Sequence, residues 1–155
     1  ASVSRKGVFR GIHFAELQPG QAIYVSCPFG EVLDIVVDIR VGSPTFGLVE
    51  TVVLSDKNRR AVYLSEGLGH GFIALTDNAV VTYLVSSVYN PQREHGINPL
   101  DPVLGLNDIA NLELSLSPKD IEAPSLQQAL EQGLLPTWED SLARYEQLSV
   151  ERGSL

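Results

Sequence analysis

The sequence has only one cysteine and no long apolar run among its 155 residues. A lone Cys27 excludes an intramolecular disulfide, and its apolar neighbours favour a buried structural thiol in a cytoplasmic protein. No segment reaches the roughly 18 consecutive apolar residues that cross a bilayer, so no membrane span is expected. The start, ASVSRKGVFRG, also lacks the apolar region of a signal peptide.

Basic residues are in the minority, with 11 Lys and Arg against 19 Asp and Glu, for a net charge of −8. No basic stripe interrupts this acidic balance, so nucleic acid is not expected as a partner. The length and the hydrophobic share of 44% predict one globular domain, residues 1–155, with a real core. The chain enters a strand almost at once after Ala1, so we expect N-terminal strands to be missing.

Short apolar segments separated by turn residues extend from Val8 to about Ser87. The expected strands are VFRGIHF, QAIYVSC, EVLDIVVDI, LVETVVL, AVYL, GFIAL and AVVTYLVSS, with LELSLS as a possible last strand. Their spacing without intervening helices predicts an all-β, antiparallel jelly roll. A Pro-rich stretch, YNPQREHGINPLDPVLGLND, is expected to lack regular elements.

The C-terminal part, residues 125–150, is expected to form a helical appendix. Ser125 is a suitable cap for the segment LQQALEQ, which Gly133 would end. Thr137 is a suitable cap for WEDSLARYEQL.

The segment GVFRGIHF places Arg10 and His13 in an apolar strand. Because side chains alternate along a strand, these two would point to opposite faces of a regular one. Each polar group would then be costly to bury without a partner. The pattern alone does not indicate which partners these two side chains meet.

The three histidines, His13, His70 and His95, are isolated in the sequence. A metal site in a β-barrel would typically place two histidines close together on one strand, so no metal is expected. His70 lies between glycines at the expected start of a strand. It is either a hydrogen-bonded structural residue or a ligand contact that the glycines make accessible. His95 is interpreted as a loop histidine.

The pattern alone does not decide the roles of two other groups of polar residues. Tyr83 and Tyr89 would share one strand face, where they either pack in the core or line a cavity. In LSPKDIEAP, Ser117 and Asp120 have the spacing of a helix capping box, which by itself gives Asp120 no chemistry.

Five segments occur in this order: GVFRGIHF, QAIYVSCPFGEVLDIVVDIRVGSPTFG, YLSEGLGHGFIAL, YLVSSVYNPQREHGI and LSPKDIEAP. Together they resemble the dTDP-4-dehydrorhamnose 3,5-epimerase family, from about Ser4 to about Tyr145. The resemblance implies a cupin-like jelly roll (a double-stranded β-helix), a homodimer, and no metal or other cofactor. The implied reaction converts dTDP-4-keto-6-deoxy-D-glucose to dTDP-4-keto-L-rhamnose, a precursor for cell-surface polysaccharide.

The same resemblance implies roles for individual residues. His13 would be the base, oriented by Asp120, and Tyr83 the acid on the opposite face of the sugar. Arg10 would grip the phosphates of the nucleotide. Because the resemblance puts Arg10 and His13 in one pocket, we expect Gly11 to host a bulge that re-aims one of the two side chains. The remaining substrate-binding positions are matched by His70, Tyr89, Glu94 and Lys119.

The sequence departs from the family pattern where the family usually has a lysine, a position matched here by Ile23. Losing a positive charge near the enolate would cost about two orders of magnitude in rate. Two alternatives therefore stay open beside the double epimerase. One is an epimerase that inverts a single carbon for a natural-product deoxysugar, and the other is a non-catalytic nucleotide-sugar binder. A metal-dependent cupin oxygenase is a more distant alternative.

Overall fold

A computed structural model describes residues 1–153 of the chain, which form nine strands and three short to medium α-helices. The strands are β1 (Ser2–Ser4), β2 (Phe9–Ala15), β3 (Ile23–Phe29), β4 (Glu31–Asp38), β5 (Val49–Ser55), β6 (Ala61–Leu64), β7 (Leu68–Ala74), β8 (Ala79–Val85) and β9 (Glu94–Gly96). The helices are α1 (Pro118–Ile121), α2 (Leu126–Glu131) and α3 (Trp138–Gly153), and a 3-10 helix covers Pro102–Leu104.

The strands form two sheets in which every pair of neighbours is antiparallel. One sheet has the order β1-β8-β3-β6 and the other β5-β4-β7-β2-β9. Strands that are distant in sequence are therefore neighbours in space, as in a jelly roll. The predicted all-β, cupin-like fold is confirmed.

Two apolar clusters hold the layers together. Between the two sheets, Val25 and Val81 of the four-stranded sheet pack with Val32, Leu54 and Phe72 of the five-stranded one. The opposite face of the five-stranded sheet packs against the C-terminal segments, in a second cluster that runs from the strands to α2. The five-stranded sheet is thus covered on both faces, which explains why EVLDIVVDI is apolar on both sides.

The C-terminal helices begin where the sequence predicts. The Ser125 hydroxyl accepts a hydrogen bond from the Gln128 backbone N–H, and the Gln128 side-chain oxygen accepts one from the Ser125 backbone N–H. These two bonds form a capping box at the start of α2. The Thr137 hydroxyl accepts from the Asp140 backbone at the start of α3. Helix α3 is anchored to the barrel through Arg144, whose guanidinium donates to the buried carboxylate of Glu66 at 2.8 Å.

Several local predictions were wrong. The segment LELSLS contributes only a single parallel bridge, Val8 with Ser115, with backbone hydrogen bonds from Phe9 to Ser115 and from Ser115 to Gly7. The Pro-rich stretch contains a short strand, β9, which pairs with β2. Amino-acid composition does not indicate this pairing, because it is made by backbone groups. His95 consequently lies in a strand and not in a loop. Strand β1, which pairs with β8, was not predicted.

Cys27 is buried, as predicted, with 3% of its surface exposed. Burial raises the pKa of its thiol, and the Sγ atom donates to the backbone carbonyl of Phe29. A neutral, buried thiol has the character of a core side chain and not of a nucleophile. Within residues 1–153, no helix is both long and apolar enough to cross a membrane.

Candidate active site

A bulge in β2 brings Arg10 and His13 to the same face of the sheet. Arg10 pairs with Phe72, and His13 pairs with His70, so three steps along β2 match two steps along β7. The extra residue cancels the alternation that would otherwise separate the two side chains. Both line a cavity of about 370 Å³ between the sheets. The bulge predicted at Gly11 is confirmed.

Only glycine fits at position 11. Its φ is +112°, a region that side-chain-bearing residues rarely adopt. A Cβ atom there would lie 2.6 Å from the His70 carbonyl oxygen and 2.6 Å from the Cα of Gly71. The bulge and the close approach of β2 to β7 therefore both require that residue 11 has no Cβ atom.

His13 is held by a buried carboxylate from α1. Its Nε2 lies 2.6 Å from Oδ1 of Asp120, and the Asp120 side chain is 6% exposed while that of His13 is 42% exposed. The Ser117 hydroxyl caps α1 by accepting from the Asp120 backbone, which positions the carboxylate. The predicted cap is therefore present, but the Asp120 carboxylate reaches His13 and does not complete a capping box.

The Asp120 carboxyl is ionised in this setting. Burial alone would raise its pKa, but hydrogen bonds from His13 and Ser117 outweigh burial and hold the pKa below its usual range. The backbone of Gly11 acts in the same direction, which links the bulge to the charge state of Asp120. A carboxylate on Nε2 leaves Nδ1 as the nitrogen of His13 that can take up a proton.

A second histidine is held in the same way. His70 Nε2 lies 2.7 Å from Oδ1 of Asp34, whose side chain is fully buried in β4. The other oxygen of Asp34, Oδ2, is buried without a hydrogen-bond partner in the described chain. His70 lies inside β7, not at its start, because the strand begins at Leu68. It lines the same cavity as His13.

Tyr83 approaches this cavity from the other sheet. It lies in β8, is 45% exposed, and lines the cavity opposite the β2 and β7 side chains. Tyr89 lines the cavity as well, but it follows the end of β8 at Val85. The prediction that the two tyrosines share one strand face was wrong, because the chain leaves the sheet before it reaches Tyr89.

The charged residues at the cavity are Arg10, Glu94 and Lys119, in addition to the histidines. Arg10 is exposed, and its Nε donates to the Ser4 hydroxyl at 3.1 Å. Burial raises the pKa of the Glu94 carboxyl, although the neighbouring His13 and Lys119 side chains counteract part of that rise. All the residues predicted to form the site therefore line one cavity, except Asp120, which lies behind His13.

The structure adds residues that the sequence reasoning missed. Asp34 was overlooked, although an acidic residue inside an apolar strand signals a buried charge that needs a partner. Ile23, by contrast, is the position at which the sequence departs from the family pattern, and it lines the cavity together with other apolar side chains. The apolar lining comprises Phe14, Ile23, Leu68, Phe72 and Val85.

The third histidine, His95, lies outside the cavity, and its Nε2 is 2.9 Å from a carboxylate oxygen of Glu16. Each of the three histidines is therefore hydrogen-bonded to a different carboxylate. In the part of the chain that the structure describes, no group of three or more His, Cys, Asp or Glu side chains is arranged to hold a metal.

Comparison with known proteins places this site in a family. The model of the dTDP-4-dehydrorhamnose 3,5-epimerase family matches residues 1–128. The chain belongs to this family. A dTDP-4-dehydrorhamnose 3,5-epimerase of Mycolicibacterium smegmatis is 54% identical over 147 residues, covering 95% of this chain and 72% of the relative.

Other similar members of the family are named as epimerases of carbon 3 alone. A dTDP-4-dehydrorhamnose 3-epimerase of Streptomyces niveus is 55% identical over 137 residues, covering 88% of this chain and 66% of the relative. The solved structure of a double mutant of a 3'-monoepimerase from Streptomyces bikiniensis, in complex with dTDP, superposes with a TM-score of 0.94 at 46% identity. That alignment covers 97% of this chain and 75% of the other.

Proposed function

We propose that the protein is a dTDP-4-dehydrorhamnose 3,5-epimerase that converts dTDP-4-keto-6-deoxy-D-glucose to dTDP-4-keto-L-rhamnose. One observation carries the proposal: His13 and Tyr83 line the same cavity from opposite sheets. A sugar ring between the sheets would have a basic nitrogen on one face and a phenolic O–H on the other. Inversion of a carbon centre needs this arrangement.

The chemistry starts from the ketone at carbon 4, which acidifies the hydrogens on carbons 3 and 5. His13 Nδ1 takes one of these protons, and the electrons of the broken C–H bond move into an enolate whose charge rests on the ketone oxygen. Tyr83 donates its hydroxyl proton to the same carbon from the other face, which forms the new C–H bond. Exchange with water returns His13 and Tyr83 to their starting states.

Asp120 is proposed to act through His13. Its carboxylate accepts from the Nε2–H of the imidazole at 2.6 Å, which fixes the tautomer that has a lone pair on Nδ1. The ionised carboxylate also stabilises the imidazolium that forms after proton abstraction. The pKa of Asp120 lies below its usual range, so this charge is available at neutral pH.

The remaining cavity residues are proposed to bind the substrate. Arg10 would grip the diphosphate, since a guanidinium makes paired, charge-assisted hydrogen bonds to phosphate oxygens. His70 would bind the sugar through Nδ1, accepting from a ring hydroxyl as the neutral imidazole and donating to the ketone oxygen as the imidazolium. Tyr89, Glu94 and Lys119 would contact the sugar or the nucleotide. The protein is further proposed to act as a cytoplasmic homodimer, without a metal or other cofactor.

A second candidate is an epimerase that inverts carbon 3 alone. A relative named as a 3-epimerase, 55% identical, is as similar to this chain as one named as a 3,5-epimerase, 54% identical, so the comparisons support both candidates equally. The same base and acid serve both reactions, so the site geometry does not separate them.

Hydrogen exchange with solvent tests the proposal. The protein is incubated with dTDP-4-keto-6-deoxyglucose in deuterated water, and carbons 3 and 5 are followed by NMR. Deuterium at both carbons, above a control without protein, supports the double epimerase. Deuterium at carbon 3 alone favours the second candidate. Absence of exchange in a folded, dTDP-binding sample would indicate a non-catalytic binder and contradict both.

A further inference from the structure

The Arg10 side chain is held at one atom by a serine from the other sheet. Its Nε donates to the hydroxyl oxygen of Ser4 at 3.1 Å. Arg10 lies in β2 of the five-stranded sheet, whereas Ser4 lies in β1, at the edge of the four-stranded sheet. The hydrogen bond therefore connects the two sheets beside the cavity that Arg10 lines.

The strand register explains why the Ser4 hydroxyl and Arg10 meet. Ser4 pairs with Ala79 of β8, which belongs to the buried cluster between the sheets, and Ser4 itself is 3% exposed. Val3, the residue before it, is 61% exposed, as expected for side chains that alternate between the two faces of a strand. Arg10 pairs with Phe72, another member of that cluster, so its side chain leaves β2 on the face that Ser4 approaches.

A serine holds a guanidinium without neutralising its charge. Arg40, by contrast, donates to the carboxylate of Asp38 through both Nε and Nη2. Among the described residues, no carboxylate lies within ion-pair distance of Arg10, although the protein has a net charge of −8. The positive charge of Arg10 is therefore left for a ligand.

The bond to Ser4 also decides which nitrogens Arg10 can offer. A guanidinium has five N–H donors, one on Nε and two on each terminal nitrogen. Within residues 1–153, the bond to Ser4 is the one hydrogen bond that the Arg10 side chain makes. With Nε occupied, Nη1 and Nη2 remain, and these two nitrogens can donate side by side to two oxygens of a phosphate.

We propose that Ser4 is a positioning residue for the diphosphate, because it fixes Arg10 with both terminal nitrogens free for phosphate oxygens. The inference rests on the proposed function, in which Arg10 contacts the diphosphate. Ser4 is not one of the residues that line the cavity, so it acts through Arg10. A guanidinium that is already held loses less side-chain freedom when the substrate binds, and this strengthens binding.

A double-mutant cycle on dTDP binding tests this without turnover. Dissociation constants are measured by calorimetry for the unaltered chain, Ser4→Ala, Arg10→Ala and the double variant. We expect Ser4→Ala to weaken binding about threefold to tenfold, because the hydrogen bond that orders the guanidinium is lost. In the Arg10→Ala background, Ser4→Ala should change binding less than about twofold, since no guanidinium is left to position. Equal effects in the two backgrounds overturn the inference.

Two further variants separate the hydroxyl from packing. Ser4→Thr keeps the hydroxyl on a residue suited to strands and should bind dTDP within about twofold of the unaltered chain. Ser2→Ala is the matched control, two residues away on the same face of β1. It removes a buried hydroxyl without a partner in the described chain and should leave the dissociation constant unchanged. Equal losses in Ser4→Ala and Ser4→Thr would assign the effect to packing and overturn the inference.

Steady-state kinetics give a second readout. We expect Ser4→Ala to raise KM about threefold to tenfold and to leave kcat within about twofold, because only binding of the diphosphate is weakened. A fall in kcat at unchanged KM contradicts the positioning role. Binding of dTDP that is insensitive to Ser4→Ala overturns this inference alone. Failure of a folded, unaltered sample to bind dTDP contradicts the proposed function as well.

Discussion

His13 and His70 lie directly opposite each other on neighbouring antiparallel strands, and each Nε2 is held by a buried aspartate. The two aspartates come from unrelated places, Asp120 from helix α1 and Asp34 from strand β4. In both histidines Nδ1 is therefore the ring nitrogen that is not held by a carboxylate, and both side chains line one cavity. In the proposed reaction, His13 removes the proton and His70 binds the sugar beside it.

Replacing Asp120 tests whether it acts through His13. We expect Asp120→Asn to lower kcat by about 10²- to 10⁴-fold with little change in KM, because an amide can hold the imidazole in the wrong tautomer. Steady-state kinetics of epimerisation measure the split between kcat and KM. Asp108→Asn, a change at an exposed loop residue, serves as the matched control. A loss confined to KM would contradict the positioning role.

Replacing Tyr83 separates the acid from the base. In Tyr83→Phe, His13 can still remove a proton and return one to the same face, so we expect deuterium to enter the substrate without inversion. In His13→Asn, both exchange and inversion should be lost. NMR of the recovered sugar in deuterated water distinguishes these cases. Tyr63→Phe, on an exposed tyrosine away from the cavity, should behave like the unaltered chain. Full inversion by Tyr83→Phe would rule out Tyr83 as the acid.

The buried Asp34 carboxylate is expected to influence catalysis through His70. Asp34→Asn keeps an oxygen that can accept from Nε2 but removes the negative charge, so we expect kcat to fall roughly tenfold. The stability of this variant is checked by urea unfolding, since Oδ2 of Asp34 is already without a partner in the described chain. Unchanged kinetics in Asp34→Asn would mean that the pair only stabilises the fold.

Gly11→Ala tests the bulge. Its Cβ would meet the backbone of β7 at 2.6 Å in addition to adopting a positive φ, so we expect a loss of stability of more than about 3 kcal/mol and loss of activity. Gly105→Ala is the matched control, because Gly105 also has a positive φ but a Cβ there has nothing within 4 Å. The control should lose only about 1 kcal/mol. Similar losses in both variants would show that the contact with β7 is unimportant.

Asp38 is expected to set part of the acid stability. Burial would raise its pKa, but hydrogen bonds from Arg40, Ser43 and Thr45 outweigh burial and lower the pKa well below its usual range. A carboxyl whose folded pKa is depressed stabilises the fold above its unfolded pKa, about 3.9, and loses that contribution as pH falls through the lower folded value.

We therefore expect Asp38→Asn to lower the free energy of unfolding at pH 7 by on the order of 1–3 kcal/mol. At pH 3 the difference from the unaltered chain should be smaller but still present, because the Asp38 carboxyl is then mostly protonated in the unfolded chain while it stays ionised in the folded one. Urea unfolding at the two pH values measures it. A difference that is equal at pH 7 and pH 3 would assign the loss to packing and not to charge.

Much of the architecture followed from local patterns in the sequence. Alternating apolar segments with Gly- and Pro-rich turns predicted the strands, and Ser125 and Thr137 predicted where two helices begin. These features depend on backbone geometry over a few residues, which local side chains determine. The bulge at Gly11 was expected for a different reason: the family resemblance puts Arg10 and His13 in one pocket, whereas a regular strand would separate them.

The site itself depended on tertiary structure. The pairing of His13 with Asp120 joins residues 107 positions apart, and the sequence alone offered Asp120 an equally good role in a helix cap. The pairing of His70 with Asp34 required β4 and β7 to be neighbours, which no local pattern specifies. A hydrogen bond needs two groups within about 3 Å, and only the packing of the two sheets and α1 brings these side chains to that distance.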